Sequence, residues 1–220
     1  MRRRPALDKI HASLAHHFED MDQQREASSL GMWAFLVTEV MFFGGVFAGY
    51  AIYHTLYPEA FGEASKKLSV VLGATNTAVL ICSSLTMAFA VRSAQLNQRR
   101  QLVLFLTLTI ILGSVFLGIK AVEYSHKIHE HLVPGRSFVF EGPHGGGAGM
   151  FFSFYFVMTG LHALHMVIGL GLMTWLLIHA QRGRFTSEYH SPVENCGLYW
   201  HFVDIVWVYL FPLLYLISRA

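Results

Sequence analysis

Glu39, His162, His165, His201 and Asp204 are the residues of this sequence best suited to chemistry, because each lies inside a long apolar run. An ionisable side chain in hydrocarbon costs roughly 2.5 kcal/mol or more unless it is paired or hydrated, and such residues mark functional sites by default. Glu39 admits two readings. It is a carboxyl that handles protons, or a carboxyl hydrogen-bonded to a neighbouring helix to fix packing. His162 and His165 are three apart near the middle of their run, the spacing of side chains on one helix face. Haem or metal ligation is the sharp reading. A bis-histidine haem needs a second histidine at matching depth on a facing helix. The only other histidine inside a run is His201, close to where its own run opens. Copper or zinc needs three or four His, Cys or carboxylate ligands, and no such set is spaced along the chain. Interhelical hydrogen bonding is the expected role of both histidines.

His201 and Asp204 belong to Trp200-His201-Phe202-Val203-Asp204-Ile205-Val206-Trp207. They are three apart, so the pair is expected to meet on one face near the cytoplasmic end of its helix. Trp200, Asp204, Trp207 and Phe211 fall on one stripe, a surface made to be buried. Lys120 and Glu123 read as an ion pair at the outer interface, and Asn76 as an interhelical hydrogen-bonding residue. His126, His129, His131 and His144 read as solvated loop histidines. Cys82 and Cys196 have no metal or redox spacing and read as small packing residues. Gly45 and Gly49 form a small-xxx-small pair that lets a helix backbone approach. Gly113, Gly160, Gly169 and Gly171 are expected to pack as well.

The elements that must hold these residues are membrane spans. Of 220 residues, 54% are hydrophobic and 14% charged, against about 25% charged in a soluble domain; the mean hydropathy is +0.43. The net charge of +2 gives no footing for nucleic acid. Residues 1–29 form a polar leader with Arg2, Arg3 and Arg4, no apolar signal-peptide core, and Leu7, Ile10, Leu14 and Phe18 at amphipathic helical spacing. Residues 30–220 hold five apolar runs, at about 31–53, 68–91, 101–124, 148–179 and 197–218. Each is long enough to cross a hydrocarbon core of about 30 Å. The fold class is therefore an all-α, polytopic membrane bundle of five transmembrane helices. Five spans put the termini on opposite sides. Ten of the 16 Lys and Arg residues lie on the leader's side, so the N-terminus is expected in the cytoplasm and the C-terminus in the periplasm. Inverted repeats and Pro-Gly breaks, the usual marks of a transporter, are missing from the pattern.

Several segments together resemble subunit III of the haem–copper respiratory oxidases. Trp200–Trp207, preceded by Tyr199, is similar to the family's last-helix signature. Thr159-Gly160-Leu161-His162-Ala163-Leu164-His165 and the residues to Gly169 resemble its fourth-run motif. Glu39-Val40-Met41-Phe42-Phe43-Gly44-Gly45 resembles the segment whose glutamate reacts with carbodiimide. Asn76-Thr77 and Glu123-Tyr124 also match. The likeness covers about residues 31–218, with the motifs in family order. Compared with the seven-helix mitochondrial form, the first two helices are replaced by the polar leader, as in a five-helix bacterial version. In the seven-helix form those two helices wall one side of a phospholipid cleft; only the five-helix side is available here to bind lipid.

The resemblance implies a non-catalytic core subunit of a proton-pumping terminal oxidase in aerobic electron transport, in the bacterial inner membrane. It implies that haem and copper lie in partner subunits and none in this one. It also implies packing on subunit I, support of proton uptake there, and contact with subunit II, with a small subunit IV and a respiratory supercomplex as further partners. The motifs point to cytochrome c as electron donor, with subunit III of a quinol oxidase as the alternative. A small membrane cytochrome and an ion-coupled transporter are the remoter alternatives. On this reading Glu39 bonds to histidines of neighbouring helices, His165 first.

Overall fold

The computed structural model describes residues 18, 20–135, 138–140, 142, 145–186 and 189–216. Within them every regular element is an α-helix. The five expected spans are α1 (Met21–Leu56), α3 (Val70–Gln95), α4 (Arg99–His129), α5 (Gly145–Gln181) and α6 (Ser191–Tyr215); α2 (Pro58–Lys66) is a short sixth helix. All five long helices are long and apolar enough to cross a membrane.

Most of the helices run past the apolar runs that mark them. Hydropathy reports the part of a helix in hydrocarbon, whereas backbone hydrogen bonding continues until a cap stops it. α1 starts inside the leader, where Asp20 Oδ1 accepts from the Gln23 amide at 2.7 Å, a side-chain N-cap. Leu7, Ile10 and Leu14, three of the four apolar residues of the expected amphipathic helix, lie outside the described residues. At the other ends, α3, α4 and α5 stop alike. Asn97, His131 and Gly183 each take a left-handed φ, at 57°, 54° and 69°. The following amides then reach back to Ser93 O, Lys127 O and His179 O, the paired bonds of a Schellman cap.

α2 falls in what the sequence presents as a linker. Pro58 starts it, where a missing N–H costs nothing. Ala60, Phe61, Ala64 and Ser65 are buried. Gly147 of α5 allows that contact, since a Cβ there would lie 2.5 Å from Ala60 Cβ.

α3, α4, α5 and α6 form a closed ring, each packed on the next, with α6 returning to α3. α1 leans from outside on α5 and α6. α6 is therefore the central element: half of its most apolar window is buried, against 17% of that of α1. Trp200 is the main wedge of the ring. Its indole fits between Gly113 of α4 and Gly169 of α5, where a Cβ would approach it to 2.8 Å on either side. Indole N–H donation to Ser83 Oγ at 3.0 Å ties it to α3.

Candidate functional site

Three polar centres lie inside this apolar bundle. The first joins α1 to α5. His165 Nδ1 lies 2.8 Å from Leu161 O, one turn back on its own helix, and Nε2 lies 3.2 Å from Glu39 Oε2. A carbonyl only accepts, so Nδ1 carries a hydrogen. Nε2 of a neutral ring must then accept from a protonated carboxyl; Nε2 of an imidazolium donates to a carboxylate. Either way the pair shares one proton. Phe43 packs on the imidazole at 5.3 Å, and the Tyr199 hydroxyl donates to His165 O at 2.9 Å, which brings in α6. Both side chains keep some exposure, 12% for His165 and 19% for Glu39.

The second centre is buried between α4, α5 and α6. Lys120 Nζ donates to Glu123 Oε2 at 2.9 Å, to Tyr215 Oη at 3.1 Å and, at 3.4 Å, to Tyr155 Oη. Tyr215 donates in turn to Glu123 Oε1 at 2.6 Å. The ammonium also faces the rings of Trp207, Tyr155, Tyr124 and Tyr215 at 4.9–5.7 Å, near enough for cation–π attraction. Tyr124 and Thr159 share a short hydroxyl–hydroxyl bond beside it. The lysine's three donor directions are thus spent on one carboxylate and two phenols, the arrangement a buried charge requires.

The third centre lies between α3 and α6. His201 Nδ1 and Ser84 Oγ are 2.7 Å apart. Trp207 Nε1 donates to Thr77 Oγ1 at 3.1 Å. Both carboxyl oxygens of Asp204 are buried with no hydrogen-bond partner among the described residues. Among those residues, no three His, Cys, Asp or Glu side chains converge as a metal-binding set.

The family model described as cytochrome c oxidase subunit III matches residues 12–219. Cytochrome c oxidase subunit 3 of Tetraodon nigroviridis is 36% identical over 193 residues, 84% of this chain and 67% of that protein. The Oncorhynchus mykiss protein of the same name is 34% identical over 195 residues, with the same coverage. The chain belongs to the cytochrome c oxidase subunit III family.

In this subunit III the structure departs from several sequence expectations. His201 and Asp204 share a face but do not bond to each other; the imidazole pairs with Ser84 of α3. Nor do they sit near a helix end. α6 opens at Ser191, so Asp204 stands about 20 Å along it at 1.5 Å per residue. Glu39 is about 27 Å along α1. Lys120 and Glu123 form the expected ion pair, buried between helices at 5% and 2% exposure. His162 and Asn76 are buried, yet their polar side-chain atoms have no hydrogen-bond partner among the described residues. His162 is held by ring contacts instead, 5.4 Å from Phe116 and 5.2 Å from Trp207. Gly45 and Gly171 face open space, and Gly49 has only an ordinary contact with Phe154. Among glycines not expected to pack, Gly73 lies against Phe211 and Gly197 against Val91. His144 lies outside the described residues.

Sequence reasoning missed Tyr155, Tyr215, Ser83 and Ser84 as partners. Hydroxyls in an apolar run are compatible with lipid exposure, so only the presence of Lys120 and the indoles, which need partners, signalled them.

Proposed function

We propose that this chain is the non-catalytic core subunit of a proton-pumping haem–copper terminal oxidase of the bacterial inner membrane. It packs on subunit I and supports proton uptake there. Subunit II, and through it or beside it a small subunit IV and a respiratory supercomplex, complete the assembly. Haem and copper reside in the partner subunits. The N-terminus lies in the cytoplasm and the C-terminus in the periplasm. Phospholipid binds on the five-helix bundle. The names of the similar proteins favour cytochrome c over quinol as the donor.

The observation that carries this reading is how the interior polar groups are used. Lys120, Glu123, Tyr155 and Tyr215 bond to one another across three helices. That work is helix assembly. Glu39 and His165 do the same between α1 and α5, so we assign Glu39 a packing role and not that of an obligatory proton carrier. Purification of the tagged chain from native membranes in mild detergent tests the reading. A haem–copper subunit I should copurify, with oxygen consumption driven by reduced cytochrome c. A clean monomer overturns the reading, and oxygen consumption driven only by quinol overturns the choice of donor.

A further inference from the structure

Asn76 and His162 are polar side chains at the centre of the ring that the Lys120 network does not use. Asn76 is fully buried and His162 is 1% exposed. Neither Oδ1 and Nδ2 of the amide nor the two ring nitrogens of the imidazole have a hydrogen-bond partner among the described residues. A neutral imidazole always carries one donor and one acceptor, and an amide offers two donors and two acceptor lone pairs. Left bare in an apolar bundle, such groups are costly.

Both stand at the level of Lys120. Thr86 and Thr109, 2.8 Å apart, set the register of the antiparallel α3 and α4. Ten residues on, toward the start of α3 and the end of α4, lie Asn76 and Ile119, the neighbour of Lys120. One turn beyond Asn76, a Cβ at Gly73 would come within 3.2 Å of the Tyr215 ring. On the α5 side, His162 lies 5.2 Å from the Trp207 ring and 5.4 Å from that of Phe116. Trp207 in turn faces the Lys120 ammonium at 4.9 Å.

The donors at this level are already committed. Lys120 gives its three hydrogens to Glu123, Tyr215 and Tyr155, and the Tyr215 hydroxyl donates to Glu123. The Thr77 hydroxyl donates to Gly73 O at 2.9 Å and accepts from the Trp207 indole. Thr159 donates to Tyr155 O. Whatever completes Asn76 and His162 must be small, must both donate and accept, and must not be anchored at the membrane surface. Lipid does not reach side chains closed off from the outside. Water meets all three demands, and buried water typically makes about three hydrogen bonds to polar groups of this kind.

We propose that Asn76 and His162 hold buried water inside the ring, and that this water joins α3 to the Lys120 network of α4, α5 and α6.

X-ray radiolysis of the chain in native membranes tests it, since hydroxyl radicals made from a bound water oxidise the side chains beside it even where bulk solvent has no access. Phe116, Phe61 and Phe151 share one chemistry and are all 0% exposed. Phe116 borders His162, whereas Phe61 and Phe151 pack on each other. Peptide mass spectrometry should find oxidation at Phe116 and none above background at Phe61 or Phe151. Asn76→Leu, close in shape but without polar atoms, should abolish the Phe116 label and lower the folding equilibrium about threefold, the loss of one interhelical hydrogen bond. His162→Phe makes the same test from α5 with the same expectations, so failure of one variant to insert leaves the other to decide. An unlabelled Phe116 in the unmodified chain overturns the proposal, and so does a label that persists in both variants. Variants more stable than the unmodified chain overturn it as well, because they would show that the amide and the imidazole are bare.

Discussion

Glu39 and His165 share a single proton at 3.2 Å, and what that proton does separates two roles. If Glu39 passes protons, Glu39→Gln abolishes pumping. If the pair fixes α1 on α5, an amide still bonds to Nε2 or its proton, and pumping survives. We expect the second outcome, with the Gln variant retaining most proton translocation in vesicles and washing out of the complex more readily in detergent. An assembled variant that consumes oxygen but moves no protons contradicts this. Lys120 makes a sharper demand. Removing one member of a buried ion pair costs about 3–5 kcal/mol, because the other charge is left uncompensated. Glu123→Leu alone should therefore destabilise the bundle by about that amount in a detergent-unfolding titration. Lys120→Leu with Glu123→Leu should recover much of the loss. Equal stability of the single and double variants would show that the phenols of Tyr155 and Tyr215, and not the pair, hold the helices.

At the scale of elements, Trp200 shows why the bundle closes as it does. Its ring needs a helix without a Cβ on both sides, and Gly113 and Gly169 supply them. Gly113→Leu should destabilise by about 1–3 kcal/mol through overpacking, whereas Gly45→Leu, at a site open to its surroundings, should be near neutral; thermal unfolding in one detergent compares them. The contrast also marks what could be read from the sequence. The five spans were legible, since hydrocarbon demands about 20 apolar residues per crossing. The Glu39–His165 contact was legible from the family motifs. Which glycine meets a neighbour was not. Gly45-xxx-Gly49 has the packing spacing, yet its Gly45 face is open, because α1 leans on the ring from outside. α2 was not legible for a different reason: a nine-residue stripe is short, and it lies between two long apolar runs. The partners of Asp204 and His201 depended on α3, and helix-to-helix register is set by packing that local spacing does not encode.

For the whole molecule, topology is the first quantity to check. A reporter that works only in the cytoplasm should be active when fused to the N-terminus and silent on the α4–α5 connection. The reverse pattern would invert the bundle. Arrangement within the membrane is uneven. α6 packs on α3, α5 and α1, while α4 turns a plain apolar face outward.

The Lys120 centre also has a calendar. Tyr215 stands 95 residues downstream of Lys120. A ribosome adding about 5–20 residues per second therefore needs about 5–20 s to deliver it. Over that interval the lysine's partners are Glu123, on its own helix, and then Tyr155 of α5. The earlier helices wait half-finished until the last one arrives. A chain stopped just upstream of Tyr215 would leave Lys120 and Glu123 without the hydroxyl that joins them to α6. The final turn of α6 thus brings the last partner to this centre.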